Sequence, residues 1–519
     1  MNAPMNIRKL MRMAVVAVLL AGTAALAAED LERGFQAPPD SARPWVYWFW
    51  MNGNITREGI TADLEAMQRV GIRGALIMDV ASPQAPLVEF GSPGWHALLK
   101  FAVEEARRLG LEIELHNAPS WAGSGGPWIT PENAMKVVVT SEKRVQGPRR
   151  FEEALPQPPS NLGFYRDVAV LAFRTPATEL SRMSDLAPKV TVSTPGEDGA
   201  KVMDGRADSF VKLALPKSEA QPFILFEFAQ PYTAGMVRLK IVSPIWKASG
   251  QLEFSQDGKE FKPLAKLACN GKAPECTVYF APICAKFFRF VLRDAATLHD
   301  LDHVKVAELE LSPQLGIADF SEKIFEKREW GPARFLSEFP AAAQGAVAQE
   351  SLLDLSGKMK ADGKLAWEIP EGSWTLLRVG YTANGKLMAP APQGGEGLVC
   401  DNLSRKAAQV HWDAHMRRIV ENLGPLAGNV ATGLNNVEID SYESGCQNWT
   451  DGFEKEFQRR RGYELTKFLP VFTGRVVDSP EVTERFLWDF RRTVTDLFNE
   501  DYVGQMAAMA HEAGLRLSI

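Results

Sequence analysis

Between residues 43 and 117 the apolar positions switch repeatedly between two spacings. Pro44-Trp45-Val46-Tyr47-Trp48-Phe49-Trp50 is an aromatic run closed by the turn pair Asn52-Gly53, and it predicts a strand. Thr56 then stands where a helix cap would stand. Ile60, Leu64, Met67 and Val70 follow at helical spacing, and Gly71 marks the stop. Residues 74–80 are almost continuously apolar with Asp79 near the end, as in a buried parallel strand. Trp95, Leu98, Leu99, Ala102, Val103, Ala106 and Leu109 predict a second helix ended by Gly110. Residues 111–117 predict a third strand, although Glu112 and Glu114 make it less apolar than the second. Strand, helix, strand, helix, strand is the order of a parallel sheet with crossover helices.

From about residue 135 to 384 the helical spacing fades and short alternating segments replace it. Residues 223–228, 236–241, 250–254, 287–292 and 304–311 are examples, and 252–261 predicts a hairpin around Asp257-Gly258. That hairpin resembles its counterpart in galactose-binding-like, discoidin-type sandwiches, which places such a module at about 218–312. The resemblance implies either a sugar contact or a brace for the rest of the chain. The parallel pattern then resumes. Ser404 caps a helix with Ala407, Val410, Ala414 and Ile419 inward, residues 437–440 predict a fourth strand, and 453–461 and 481–513 predict helices. Residues 514–519 read as the opening of a fifth strand inside which the chain stops. The expected fold is therefore α/β: a (β/α)₈ TIM-like barrel interrupted by β-sandwich insertions and incomplete at its C-terminus. Residues 43–134 form its first part, 135–390 the β-rich insertion and 391–519 its continuation.

Composition narrows the function classes. A net charge of −6 leaves no electrostatic footprint for nucleic acid. Arg8, Lys9 and Arg12 precede the short apolar run 13–26, and Ala25-Leu26-Ala27 offers a cleavage site, so residues 1–27 read as a secretory signal peptide. Nothing after it is long and apolar enough to span a bilayer. The expected location is exported, periplasmic or extracellular. Export permits disulfides, and Cys269, Cys276 and Cys284 lie close enough in sequence for one bridge. No cysteine or histidine spacing suggests zinc.

Candidate chemistry gathers where the strands end. Trp50 and Asn52 follow the first strand, Asp79 closes the second, and His116 and Asn117 close the third. The loop after the third holds Trp121, Gly123, Gly125 and Gly126. After the fourth comes Asp440-Ser441-Tyr442-Glu443, with Trp449 beyond. Barrel enzymes carry their catalytic groups at strand ends. Paired carboxylates move protons, and aromatic faces pack on the C–H faces of sugars, so the expected substrate is a carbohydrate. Competing structural readings are a helix cap for Asp440, core packing for Trp50 and a hydrogen-bonded interior histidine for His116.

Four stretches together carry a wider resemblance: residues 44–60, residues 117–128, the segment from Trp367 to Gly380, and Gly397-Leu398-Val399-Cys400-Asp401 leading into 437–450. In this order they resemble glycoside hydrolase family 106, whose characterised members are α-L-rhamnosidases. The resemblance implies an inverting hydrolase with calcium at its active site. It implies Glu443 as general acid and a base supplied by later strands. Asp79, Asn117 and Asp440 are oxygen donors in view for calcium, without an assignment as ligands. Two other classes stay open: a non-catalytic carbohydrate-binding protein, and a retaining glycosidase of other specificity.

Overall fold

The computed structural model describes residues 31–180, 183–206, 208–215, 221–271, 274–298, 301–317, 320–326, 345–440 and 445–519. The leader segment and Glu443 lie outside these residues. The chain forms two compact units. Residues up to 134, 385–444 and 498–519 make the first, and residues 135–384 and 445–497 the second.

The first unit is α/β. Its strands are β1 (Trp45–Met51), β2 (Gly74–Val80), β3 (Glu112–His116), β4 (Gly433–Glu438) and β5 (Arg516–Ser518). They lie in that order in one sheet, every neighbouring pair parallel. Helix α1 (Arg57–Arg69) begins where the Thr56 side chain accepts the Gly59 amide, and α2 (Pro93–Leu109) begins where Ser92 accepts that of Trp95. These caps satisfy amides that the helix itself leaves without partners. Gly110 closes α2 in the left-handed region, where a side chain would be strained. Val70, expected on the buried face of α1, is 70% exposed because the helix ends one residue earlier. The helix expected after Ser404 is two, α3 (Arg405–Ala414) and α4 (Met416–Leu423), separated at the non-helical His415. A π-helical turn, Phe498–Val503, leads into α5 (Gly504–Glu512). Ile60, Leu64, Trp95, Leu99, Val103, Trp412, Ile419 and Met506 from these helices share one core with the buried face of the sheet.

The second unit is mainly antiparallel. Strands Lys136–Ala154 and Lys364–Ala383 pair along almost their whole length. With Arg166–Arg174 and Leu353–Asp354 they make a four-stranded sheet. A separate seven-stranded sheet runs from Lys189–Val192 to His303–Ser312 and has its own core. The expected hairpin is there. Phe254 pairs with Lys262, and the turn is held by Asp257 Oδ1, which accepts the amides of Lys259 and Glu260. The sheet also recruits Lys189–Val192 and Val211–Ala214, which precede the boundary expected at 218. No disulfide joins Cys269, Cys276 and Cys284.

A further boundary differs from expectation. Residues 445–497 belong with the β-rich second unit, not with the parallel sheet. The cause is aromatic packing: Trp449 stacks on Phe453 at 4.8 Å, and Phe453, Phe472 and Phe486 each meet Phe490. The Lys136 carbonyl accepts the amides of Asn448 and Trp449, and Asn448 Oδ1 accepts that of Val138.

The helix-covered core of the first unit should be intolerant of cavities. Leu64 is fully buried on α1. Leu64→Ala is expected to cost about 2–5 kcal/mol in chemical denaturation, through lost transfer energy and the void left behind.

Candidate active site

Neighbouring residues of a strand face opposite sides of its sheet, and this decides which side chains meet. One side of the parallel sheet, including Trp48, Trp50, Ala75, Ile77, Ile113, Leu115 and Val437, is buried in the helix-covered core. The other side carries Tyr47 from β1, Leu76 from β2, Glu114 from β3, Glu438 from the end of β4 and Ser518 from β5. With Asp440, Gly123 and Tyr502 they line a cavity of about 660 Å³. This alternation accounts for the polarity of β3. Glu114 faces the cavity, whereas Glu112, at the other end of the strand, pairs with Arg73 at 2.9 Å and Arg516 at 2.6 Å.

Three carboxyl groups thus share one space. Glu438 Oε2 and Glu114 Oε1 are buried without a hydrogen-bond partner. Burial first, then the charges of Asp440 and Glu114, push the Glu438 carboxyl up to about 8. Burial raises Glu114 as well, against the opposing pull of Ser518 and Arg516. Tyr47 is raised by burial and by the same acids. Glu438 therefore keeps its proton at neutral pH. A carboxylic acid that holds a proton beside other carboxyl groups is what general acid chemistry requires.

His116 sits against this group, its Nε2 3.7 Å from Glu438 Oε2. Burial lowers it to about 4, although the Ala118 carbonyl and Asp440 act the other way. The imidazole is therefore neutral. Asn117 ties three elements together. Its amide donates to the Glu438 carbonyl at 2.8 Å, its Nδ2 donates to the Gly123 carbonyl at 2.8 Å, and its own carbonyl meets His411 Nε2 at 2.9 Å. Trp128 Nε1 lies 3.0 Å from His411 Nδ1, so His411 accepts there and donates from Nε2. Asn117 Oδ1 is left buried without a partner. The Gly123 carbonyl also accepts from the Tyr502 hydroxyl at 2.9 Å, which the π-helical turn delivers. A Cβ at Gly123 would lie 2.6 Å from Ile439 Cγ2, so only glycine lets the loop pass this close to the end of β4.

The residues expected from sequence divide. Asp440 lines the cavity, and His116 and Asn117 adjoin it. Asp79 accepts from Trp95 Nε1 at 3.0 Å, and burial pushes it up to about 7, but it lies outside the cavity lining. Asn52 acts as a loop clamp. It adopts a left-handed φ of 50°, donates to the Gln84 carbonyl and accepts the Gln393 amide. Trp50 is 0% exposed and packs edge-on to Trp48 and Trp95, so it has no face to offer a sugar. Trp449, also 0% exposed, is core of the second unit and is corrected in the same way. Trp121 is half-buried with its ring 5.9 Å from Phe49, outside the cavity lining. Sequence reasoning passed over Glu438 and Glu114. The signal was there in Asn436, Glu438 and Asp440, which alternate at one parity along a strand, as do Glu112 and Glu114.

The sequence profile of the α-L-rhamnosidase family, glycoside hydrolase family 106, matches residues 36–518. A rhamnosidase structure from Novosphingobium sp. PP1Y is 32% identical with a TM-score of 0.76, over 94% of this chain and 46% of that one. A protein of Formosa agariphila named "Putative beta-glucuronidase" is 32% identical over 492 residues, 94% of this chain and 30% of that protein. The chain thus spans less than half the length of either.

Two outcomes follow from the geometry. The Glu438 carboxyl is raised above its ordinary value, so the folded state holds its proton longer than the unfolded chain does. Its contribution is full below about pH 4.5 and is lost as pH rises through about 8. Glu438→Gln is therefore expected to be more stable than the unaltered protein at pH 8–9 by on the order of 1 kcal/mol, allowing for screening by cavity water. Urea melts at several pH values should show that advantage vanish below pH 5. Gly123→Ala is expected to cost about 1–3 kcal/mol from the Ile439 contact, read as a lowered melting temperature.

Proposed function

This chain belongs to glycoside hydrolase family 106, the α-L-rhamnosidases, and from that membership we propose that it removes α-L-rhamnosyl residues from polysaccharides or glycosides by an inverting acid/base mechanism. The five parallel strands and their helices would form part of a (β/α)₈ barrel, and the β-rich second unit would interrupt it. The observation that supports the reading most is the cluster of Glu114, Glu438 and Asp440 at one cavity, with Glu438 holding its proton at neutral pH.

Inversion needs an acid on the leaving-group side of the sugar and a base that activates water on the other, separated by enough room for that water. Glu443 is the proposed acid. It stands three residues beyond Asp440 in the sequence. Asp440 and the protonated Glu438 would then tune its proton, since like charges nearby disfavour ionisation. Asn117 and the neutral His116 would position this end of the strand through the Glu438 carbonyl and side chain. Tyr47 and Trp45, which line the cavity, and the half-buried Trp121 keep exposed surface for ring packing.

Calcium comes with the family resemblance. It takes a shell of several oxygens. Asn117 Oδ1 and Glu438 Oε2 are buried oxygens without partners, yet among the described residues no group of three or more His, Cys, Asp or Glu is placed to hold a metal ion. The described residues do not by themselves amount to such a shell. Export follows from the basic and apolar leader. Among the described residues no helix is long and apolar enough to cross a membrane.

The test is hydrolysis of an aryl α-L-rhamnoside by the intact gene product carrying this chain, beside an aryl β-D-glucuronide. Proton NMR would follow the anomer first released. Preference for the rhamnoside with inversion is expected, and Glu443→Gln should lower turnover of poor leaving groups by about 10²–10⁴-fold. Retention of configuration would point to a different carboxylate pairing. Sugar binding without any product would leave a carbohydrate-binding role.

A further inference from the structure

In the seven-stranded sheet, Cys269 lies near the end of the strand Lys262–Asn270 and Cys276 near the start of the strand Glu275–Thr297. Residues directly opposite each other on paired strands share a face. Cys269 stands opposite Ala248 and Cys276 opposite Leu239, and both of those partners are buried in the core of this sheet. The two cysteines therefore enter one core from two different strands, Cys269 buried and Cys276 half-buried at its margin. There they meet: the Cys269 thiol donates a hydrogen bond to the Cys276 sulfur. Both are thiols in this structure. Cys284 is turned away from them. It is exposed and stands opposite Thr233, which is exposed too.

The two sulfurs are unequal in reach and in chemistry. The hydrogen bond from Cys269 holds the Cys276 thiol below its ordinary value; burial opposes this, and the Ala268 amide adds to it. The same hydrogen bond, and then burial, push the Cys269 thiol up. The sulfur with access to solvent is thus the readier thiolate, and a thiolate is the nucleophile of thiol–disulfide exchange. The buried sulfur stands against it, placed to finish the exchange. Their position in the sheet gives a bond between them a mechanical use. Among the described residues Lys262–Asn270 is an edge strand, paired only with Ile245–Ser255. Glu275–Thr297 is an inner strand, paired with Phe223–Ile241 as well as with Ile245–Ser255. An edge strand leaves half of its backbone groups without a ladder partner, so it is the one with most to gain from a covalent tie.

We propose that Cys269 and Cys276 form a disulfide by exchange with an external disulfide, and that this bond fastens the edge strand to the inner part of the sheet. The Cys276 thiolate attacks one sulfur of the external disulfide. A mixed disulfide forms on Cys276, and one external thiolate leaves and takes up a proton. Cys269 then gives up its proton and attacks the Cys276 sulfur. The Cys269–Cys276 bond forms, the mixed disulfide breaks, and the second external thiol leaves. Two protein thiols are oxidised and one external disulfide is reduced to two thiols. The pair belongs to the second unit, away from the acid cavity, and the proposal does not depend on the rhamnosidase reading.

The experiment starts from the intact gene product carrying this chain, fully reduced, freed of reductant and then incubated, folded, with oxidised glutathione. Peptide mass spectrometry without reduction reads the linkage. Trypsin cuts at Lys272, between Cys269 and Cys276, and chymotrypsin at Tyr279 and Phe280, between Cys276 and Cys284, so the three cysteines fall on separate peptides. A peptide pair joined through Cys269 and Cys276 is expected. In Cys269→Ser a glutathione adduct should stay trapped on Cys276. The oxidised protein should melt roughly 5–10 °C above the reduced one, and Cys276→Ser should abolish that difference. No Cys269–Cys276 peptide pair at a glutathione disulfide concentration that modifies the exposed Cys284 would overturn the proposal, and this reading needs no variant. A bond through Cys284 would overturn it too, as would one that forms only in unfolded protein. Equal melting of the two forms would overturn the fastening role.

Discussion

A strand of a parallel sheet has two sides, and what each side faces sets everything else in the first unit. The side toward the helices is packed with apolar groups. Asp79 survives there by accepting the Trp95 indole hydrogen and by holding its proton near neutrality. The other side opens onto a cavity, so it can carry carboxyl groups, though not at their usual acidity. Burial makes ionising Glu114 and Glu438 harder, and the charges of Asp440 and Glu114 add to the effect at Glu438. The proton-holding group thus follows from pleat, burial and proximity.

What holds this arrangement still is a small set of hydrogen bonds to the backbone. Asn117 and Tyr502 converge on one carbonyl, that of Gly123, from two different elements. Tyr502 belongs to the π-helical turn. Asn52 makes an equivalent clamp at the end of β1, joining the loops of Gln84 and Gln393. In both cases a residue that looks like a ligand contact in sequence is spent on fixing a loop.

That distinction marks the limit of what could be read from the chain alone. β1 to β3 with α1 and α2 were legible nearly to the residue, because periods of two and of 3.6 differ sharply over such lengths. β4 begins earlier than expected, at Gly433. Asn435 and Asn436 hide its start, and they are tolerated only because Glu112 and Ser518 bond them. The tryptophans could not be sorted. An indole in a core and an indole under a sugar have the same sequence, and Trp50 and Trp449 proved to be core. Glu438 went unread although Asn436, Glu438 and Asp440 alternate at one parity, because alternation alone does not show that a side chain is buried beside other acids. Its acidity is set first by burial, then by Asp440 two residues on, and then by Glu114 from a distant part of the chain. The membership of residues 445–497 was likewise decided by aromatic partners that order along the chain does not reveal.

The long excursion between β3 and β4 has a kinetic meaning. β3 ends at His116 and β4, its sheet neighbour, starts at Gly433, with the whole span from residue 135 to 384 between them. Closing so long an unfolded loop would be entropically costly and slow. Yet Lys136 and Ala383, near the two ends of that span, are paired across adjacent antiparallel strands. Once those strands have zipped, the excursion leaves and returns at nearly one point, and the loop that β3 and β4 must close shrinks to the residues outside it. The β-rich unit can therefore act as an internal scaffold for assembly: the order in which the units fold sets whether the strands carrying Glu114 and Glu438 find each other quickly. By the same logic, the length of the excursion is almost free to change, so long as its ends stay paired.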